Sequence, residues 1–336
     1  MFQAEPFDAD EDEALDKLER LWDAFAEASL VSSRYEGSLS WKTNGSQDYL
    51  VHTVNLRYQG NRQRTRSLGP RSEATERQME EFRLGREQSR HRLDLTRKRL
   101  DVHGRVLKAL RLGRIPALSA RFLRELHAEG LGAAHFRIGG MAALAAYEVR
   151  ARTTLPIDSD LDIDFDLLPT ELLVRERALF DAIASRKIFG PMELREDRII
   201  LGRGVVLRLL DEAASEDRCA SLQRAGCGRA RIEAVRWAFE TSDTIELLAV
   251  GLDGSTAPIP AVDPRAFAIL AAAEAQHLAD GPFSACLQRQ AIAVASVASR
   301  IVPEPFEIGP FDRFPELAAA ANSGAIDADM PDVMRL

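Results

Sequence analysis

The chain has 336 residues, of which 46% are hydrophobic and 29% charged, as is ordinary for a soluble globular protein long enough for two or three domains. The three cysteines, Cys219, Cys227 and Cys286, are too few and too scattered for a disulfide framework or a closed zinc site, and no apolar run approaches the roughly 18–20 residues of a membrane-spanning helix. The net charge of −8 is unevenly distributed: residues 57–115 carry 17 Lys and Arg against 7 Asp and Glu, which makes them +10 and leaves −18 for the remainder.

Neither the first residues nor the cysteines indicate export. Residues 1–13 are acidic and lack the basic and apolar regions of a signal peptide. The scattered cysteines are most simply explained as reduced thiols. We therefore expect a cytoplasmic protein that is not attached to a membrane.

The first 115 residues predict a helix, a β-hairpin and a second, long helix. The predicted elements are, in chain order, a helix over 11–30, a loop over 31–46, strands over 49–58 and 62–68, and a helix over 72–112. The first helix has its leucines and aromatic residues on one stripe, which is typical of core packing. Ser72 is a candidate N-cap of the long helix, and Gly85 and Gly104 are candidate kinks within it.

The basic side chains of this region allow two interpretations. They are Arg57, Arg62, Arg64 and Arg66 on the hairpin and Arg90, Arg92, Arg97, Lys98 and Arg99 on the long helix. They would suit contacts with RNA phosphates, which makes residues 57–114 a candidate RNA-binding segment. The same charges are also typical of a solvated surface, or of a segment that docks on the acidic remainder of the chain.

A glycine turn follows the next predicted elements, a helix over 117–130 and a short strand over 135–138. Gly139 and Gly140 end that strand, and Met141 begins an alanine-rich helix. A strand, a glycine turn and a helix N-terminus leave backbone N–H groups free to hold an anion such as a phosphate. We therefore predict that Gly139, Gly140 and Met141 bind phosphate.

Residues 160–167 alternate between aspartate and an apolar residue, which predicts a β-strand with one face made of carboxylates. The acidic residues are Asp160, Asp162, Asp164 and Asp166. Neighbouring carboxylates on that face lie roughly 6–7 Å apart and repel each other by about 2–3 kcal/mol at an effective dielectric constant near 20. A divalent cation would offset this repulsion, and oxygen ligands favour Mg²⁺ or Mn²⁺. The alternative is a solvated edge strand without a ligand.

These two features together resemble the nucleotidyltransferase fold of the DNA polymerase β superfamily. Ile138-Gly139-Gly140 stands at the glycine signature of that superfamily, and Asp162-Ile163-Asp164 stands at its paired metal carboxylates. The amino-acid sequence of residues 139–148 is most similar to an uncharacterised bacterial branch of nucleotidyltransferase-fold proteins. The resemblance implies that Asp162 and Asp164 hold Mg²⁺ or Mn²⁺. Asp160 and Asp166 lie on the same face of the predicted strand, and either could be a further ligand. The resemblance also implies that the glycine turn binds the phosphates of an NTP such as ATP.

The remaining elements are predicted from hydrophobic patterns and from breaker residues. They are a helix from Pro169 to about Ser185, strands over 192–200 and 205–210 that extend the sheet, a helix over 229–239, a strand over 244–250, and helices over 264–277 and 283–301. We expect the tail, residues 320–336, to be loose.

Two positions depart from the superfamily pattern. The superfamily usually supplies a third carboxylate from a neighbouring strand, where this chain has Arg208; Asp211 and Glu212 are the nearby alternatives. Related sequences tend to place a lysine in the helix over 264–277, where this chain offers Glu274. These departures motivate a second hypothesis, in which the protein is a catalytically inactive module that binds a nucleotide or RNA, as one partner of a toxin–antitoxin or defence pair.

We therefore expect an α+β protein with a mixed sheet and flanking helices. Residues 1–115 would form the N-terminal helix, hairpin and long basic helix, residues 116–260 the catalytic domain, and residues 261–336 a C-terminal helical region. The leading hypothesis is metal-dependent transfer of a nucleotidyl group from an NTP to an acceptor hydroxyl, with Asp162 and Asp164 as the catalytic residues. The acceptor could be RNA, a protein or a small molecule.

Overall fold

The computed structural model of the chain describes residues 5–56, 62–128, 131–132, 136–155, 170–174, 192–195, 198–201, 205–211, 245–277, 281–302 and 314–328. Within these ranges the protein is α+β, as expected. Its helices are α1 (Ala9–Ser33), α2 (Glu73–Ala109), α3 (Ala117–Ala128), α4 (Gly140–Ala151), α5 (Pro264–His277), α6 (Pro282–Ile301) and α7 (Pro315–Ala328). Its strands are β1 (Glu5–Pro6), β2 (Ser38–Asn44), β3 (Gln47–Leu56), β4 (Arg62–Pro70), β5 (Phe136–Gly139), β6 (Thr153–Thr154), β7 (Thr170–Val174), β8 (Met192–Arg195), β9 (Arg198–Leu201), β10 (Val205–Asp211), β11 (Ile245–Val250) and β12 (Thr256–Ala261).

The predicted hairpin is confirmed as β3 and β4, and a third strand, β2, pairs antiparallel with β3. The loop predicted over residues 31–46 is therefore wrong over 31–33, where α1 continues to Ser33, and over Ser38–Asn44, which form β2. The polar sequence of β2 gave no strand signal. It is held instead by its seven-residue pairing with β3 and by packing of Trp41 under the Arg71 guanidinium, which lies 5.2 Å from the ring centre.

Helix α1 confirms the first predicted helix and packs against α2. The Asp8 side chain accepts a hydrogen bond from the Glu11 N–H at 2.8 Å, and the Glu11 carboxylate accepts one from the Asp8 N–H at 2.9 Å. The apolar stripe of α1 is buried with residues of α2, in a cluster that includes Leu15, Leu18, Trp22, Phe25, Leu100 and Leu107. A buried side chain, His103, joins the helices because its Nε2 lies 2.8 Å from the Ala14 carbonyl oxygen.

Helix α2 is one helix of 37 residues, about 55 Å long, and Ser72 caps it as predicted. The helix continues through both glycines that were candidate kinks. A Cβ atom at Gly104 would lie 2.6 Å from the carbonyl oxygen of Gly254, in the turn between β11 and β12. Gly104 thus allows the helix to approach that turn closely.

Seven of the described strands form a mixed sheet with the order β11-β12-β5-β7-β10-β9-β8. Strand β7 runs antiparallel to β5, with Glu171 opposite Gly139, and β10 runs parallel to β7, with Arg208 opposite Glu171. Gly139, Glu171 and Arg208 therefore lie in one row across three adjacent strands. On the other side of β5, strand β12 runs parallel to it, with Ala261 opposite Ile138.

The strands predicted over residues 205–210 and 244–250 are confirmed as β10 and β11. The single strand predicted over residues 192–200 is wrong, because the chain forms two antiparallel strands there, β8 and β9. All four strands extend one sheet. The helix predicted from Pro169 is wrong over residues 170–174, which form β7. The local sequence there is compatible with a helix start, but strands on both sides satisfy the backbone hydrogen bonds of a strand.

Strand β12 was not predicted, because Pro258 and Pro260 interrupt its sequence. Both prolines lie on the side of β12 that faces β5, where their missing N–H groups leave no donor. The pairing with β5 is correspondingly short. It is continued by Val262, whose N–H donates to the Ile138 carbonyl oxygen at 2.9 Å.

The main hydrophobic core lies between the seven-stranded sheet and helices that precede and follow its strands in the chain. Buried residues of α3 and α4 share one cluster with residues of α5, α6 and α7. Helices α3, α5 and α6 confirm the helices predicted over residues 117–130, 264–277 and 283–301. The prediction of a loose tail is wrong over residues 320–328, which continue α7 and bury Ala321. The division of the chain into three domains stays a prediction.

Several predicted features lie outside the described residues. They are the aspartate strand over 160–167, the turn at 59–61, the remainder of the helix predicted up to Ser185, the helix over 229–239, Glu212, Cys219, Cys227 and residues 329–336. Among the residues that are described, no helix combines the length and the apolar character required to cross a membrane.

Candidate functional site

The glycine turn predicted from the sequence lies between β5 and α4. Gly140 has a φ of +62°, in the left-handed region that favours glycine, and Gly139 precedes it in an extended conformation. Gly139 is the N-cap residue and supplies no side-chain oxygen to the first turn of α4. Because the first N–H groups of a helix have no partner within it, this turn offers backbone donors and the positive end of a helix dipole. The predicted site residues Gly139, Gly140 and Met141 are thus brought together as a possible anion site.

Helix α4 is held rigidly behind this turn. Every residue from Met141 to Val149 is buried. The hydroxyl of Tyr147 donates a hydrogen bond of 2.6 Å to the carbonyl oxygen of Val262, whose own N–H is bound to Ile138. Burial, and secondarily the charge of Asp263, raise the pKa of the Tyr147 hydroxyl above its ordinary range, so that it remains a donor. This network fixes the end of β5 relative to the segment after β12.

Asp263 and Arg265, which come just after Val262 in the chain, form a buried ion pair. The sequence did not predict these residues as part of the site. Asp263 is 2% exposed, and its carboxylate accepts hydrogen bonds from the Arg265 Nε at 2.8 and 3.0 Å. The same carboxylate accepts a hydrogen bond from the Arg265 backbone N–H at 2.8 Å, at the start of α5. Asp263-Pro264 was recognised in the sequence only as a helix start. Its position beside the glycine turn depends on the pairing of β12 with β5, for which the sequence carries no local signal.

Two further ionisable side chains are buried near α4. Arg137 lies on β5, two residues before Gly139, and is 2% exposed. Glu148 accepts hydrogen bonds from the Leu155 N–H at 2.8 Å and from the Arg114 Nε at 3.1 Å. Burial raises the pKa of Glu148 to about 7, although Arg114 acts in the opposite direction.

The predicted metal ligands Asp160, Asp162 and Asp164 lie outside the described residues. The described part of the chain contains no group of three or more His, Cys, Asp or Glu side chains that could hold a metal ion. Of the two alternatives for a third carboxylate, Asp211 ends β10 opposite Val174, which in turn pairs with Phe136. The backbone of Asp211 is thus at the opposite end of β5 from Gly139, whereas Arg208 is in the row of Gly139.

The basic segment is partly neutralised within the chain. Its described ion pairs include Arg83–Glu80, Lys98–Asp94, Arg92–Glu27 and Arg114–Glu148. The last two connect the segment to other parts of the chain, as internal docking would. Arg64 and Arg66 on β4 are exposed. Binding of RNA by residues 57–114 stays a prediction.

A cleft of about 980 Å³ opens between α1, the three-stranded sheet, α2 and α3. Arg86, Arg90 and Tyr35 line it, together with an ion pair in which His127 Nε2 lies 3.1 Å from the Glu246 carboxylate. Glu246 is opposite Pro260 on β12, and β12 adjoins β5. The wall formed by β11 therefore lies two strands from β5, about 10 Å at the usual strand spacing. The cleft is large enough for a nucleotide-sized group.

Comparison with known proteins assigns residues 117–280 to a family. No curated protein and no solved structure matches the chain. A family model described as "Nucleotidyltransferase" matches residues 117–280. The match begins at α3, includes the glycine turn and the aspartate run, and extends just beyond α5. By this match, residues 117–280 form a domain of the nucleotidyltransferase family.

Proposed function

We propose that this protein transfers a nucleotidyl group from an NTP to an acceptor hydroxyl, with Asp162 and Asp164 holding Mg²⁺ or Mn²⁺. The observation that supports this proposal is the glycine turn, which presents backbone donors beside the first residues of β7. Glu171 lies opposite Gly139, so the chain that leads into β7 arrives at the glycine turn.

Chain connectivity supports a role for the aspartates at this end of the sheet. Asp166 precedes Thr170 by four residues and Asp162 precedes it by eight. At about 3.5 Å per residue, their Cα atoms lie within roughly 14 and 28 Å of Thr170. Carboxylate oxygens are the ligands that Mg²⁺ and Mn²⁺ prefer, so the donor chemistry fits the implied metal.

In this reaction the protein forms no covalent bond to the substrates; its main task is to position the NTP phosphates and the acceptor hydroxyl. The acceptor oxygen forms a bond to the α-phosphorus, the bond from that phosphorus to the bridging oxygen breaks, pyrophosphate leaves, and the hydroxyl proton is released. The backbone N–H groups at Gly139, Gly140 and Met141 would hold the terminal phosphates in line with this attack. The bound metal would neutralise the charge that develops on the phosphates. Asp160 would be a further metal ligand.

The test is transfer of label from α-labelled NTPs to RNA, protein or small molecules of a lysate, with and without Mg²⁺. The double substitution Asp162→Asn/Asp164→Asn should abolish metal-dependent transfer. Asp94→Asn, at an exposed aspartate of α2, is the matched control. Metal-dependent binding and transfer that are equal in the wild type and the double variant would refute the proposal.

A second candidate is a module that binds a nucleotide or RNA without transferring a nucleotidyl group. The position of Arg208 favours it, because this basic residue lies in the row of Gly139, on β10 two strands away, where the superfamily usually has an acid. Such a module would bind NTP or RNA in the same assay but would leave no label on any acceptor.

A further inference from the structure

Four large apolar side chains of α2 remain exposed on one face of the helix. Leu84, Leu95, Val102 and Val106 are 52%, 43%, 60% and 45% exposed. At 3.6 residues per turn they fall within an arc of about 40° around the helix axis. We call this surface the α2 stripe.

One face of α2 packs against the chain itself. Helix α1 contacts it through His103 and through the ion pair of Arg92 with Glu27. The turn after β11 reaches Gly104, and α3 approaches Asp101 through Arg124, 3.8 Å away. The α2 stripe lies on the side that these contacts leave open.

A single exposed leucine would be unremarkable, but an aligned set is not. From Leu84 to Val106 the stripe spans 22 residues, about 33 Å along the helix. Stripes of this kind usually mark a surface that packs against another helix.

The spacing of the stripe is symmetric about Leu95. Leu84 and Val106 each lie eleven residues from it, and Gln88 and Val102 each lie seven residues from it. An antiparallel pairing of two α2 helices centred on Leu95 would therefore place Leu84 against the partner's Val106 and Gln88 against the partner's Val102. We propose that a second copy of this chain covers the α2 stripe in this arrangement, as a two-fold symmetric dimer.

The charges at the two ends of α2 agree with the antiparallel direction. Residues 73–81 contain four Glu and one Arg, whereas the last turn and the residues after it contain Lys108 and Arg111. Antiparallel pairing brings the acidic start of one helix beside the basic end of the other. Near the centre this register places Arg92 against the partner's Lys98 and His91 against the partner's Arg99, so basic side chains meet there. Arg92 and Lys98 pair with Glu27 and Asp94 of their own chain, which reduces this repulsion.

Analytical ultracentrifugation of the full chain tests the dimer. The wild type should sediment as a dimer, and Leu95→Glu should sediment as a monomer with an unchanged circular dichroism spectrum, because Leu95 is exposed and its replacement leaves the fold intact. Leu252→Glu is the matched control, since Leu252 is an exposed leucine (49%) in the turn after β11, outside the α2 stripe. A monomeric wild type at its highest soluble concentration, or a Leu95→Glu chain that still dimerises, would overturn the proposal.

Crosslinking tests the direction. Chains with Leu84→Cys and differently tagged chains with Val106→Cys are mixed and treated with a short bis-maleimide, and the linked peptides are identified by mass spectrometry. The antiparallel arrangement predicts links between positions 84 and 106 of different chains. Links between two copies of position 84, without links from 84 to 106, would refute the arrangement.

Discussion

Glu148 is a carboxyl group that the fold holds away from water beside the Arg114 guanidinium. Burial raises its pKa from 4.5 to about 7, which outweighs the opposite effects of the Arg114 charge and of the hydrogen bonds from the Leu155 N–H and from Arg114. Between these two pH values the folded protein retains a proton that the unfolded chain has released. The raised pKa therefore contributes stability that is fully present below pH 4.5 and is lost as the pH rises through 7, an effect of about 3 kcal/mol.

Glu148→Gln removes this titration while keeping an oxygen that can accept the Leu155 N–H. The free energy of unfolding of the variant minus that of the wild type should therefore increase with pH between about 4.5 and 7.5, by up to about 3 kcal/mol. Urea unfolding across this pH range measures it. Glu80→Gln, at an exposed glutamate, is the control. Parallel pH profiles for wild type and Glu148→Gln would contradict the assignment.

The pair of Asp263 and Arg265 makes a second prediction at the scale of residues. Removing one partner of a buried ion pair leaves an uncompensated charge and usually costs about 3–5 kcal/mol. Arg265→Gln should therefore lower the free energy of unfolding by about that amount. Arg265→Gln combined with Asp263→Asn should be less destabilised than Arg265→Gln alone, because no carboxylate is left unpaired. Equal stability of the single and double variants would contradict this, because it would show that the unpaired Asp263 carboxylate carries no penalty.

Helix α2 makes a prediction at the scale of elements, because its helix propensity and its packing disagree at Gly104. Propensity alone predicts that Gly104→Ala stabilises the helix by about 1 kcal/mol. A Cβ atom there would lie 2.6 Å from the Gly254 carbonyl oxygen, which is backbone and cannot move aside cheaply. We expect a net loss of about 1–3 kcal/mol in the free energy of unfolding, measured by chemical denaturation.

Gly85→Ala is the matched control on the same helix. Its new Cβ would meet the Tyr35 ring at 2.4 Å, so it should be tested in a Tyr35→Ala background, where that contact is absent and helix propensity should prevail. A stabilising Gly104→Ala would show that the turn after β11 yields to the helix.

Elements with local signals were predictable, and elements that depend on distant partners were not. Ser72 predicted the start of α2, and the apolar stripe predicted α1, because caps and helical periodicity are short-range features of the sequence. Strand β2 forms from polar residues only because β3 pairs with it, and β7 and β12 form only because the sheet offers partners on both sides. A single sequence carries no signal for such pairings.

At the scale of the molecule, the same distinction divides the candidate site. The glycine turn at Gly139 and Gly140 is a local motif, and the sequence predicted it. The Tyr147 hydroxyl binds the Val262 carbonyl oxygen, 115 residues away in the chain. That contact sets the position of the next residue, Asp263, beside the glycine turn. These residues became visible only once β12 was placed beside β5.

The core that unites these parts also extends beyond the matched domain. Helices α6 and α7 contribute Ala291, Val294, Val297, Ile301 and Leu317 to the cluster that contains Ile138 and Leu144. A chain truncated after residue 280 would keep the whole family match but would expose this apolar surface, at a cost of about 25 cal/mol for each Å². We therefore expect the truncated chain to bind a hydrophobic dye and to lose the sharp thermal transition of the full chain in calorimetry. A cooperative transition at an unchanged temperature would instead show that residues 1–280 fold without the last helices, and that α6 and α7 serve a separate purpose.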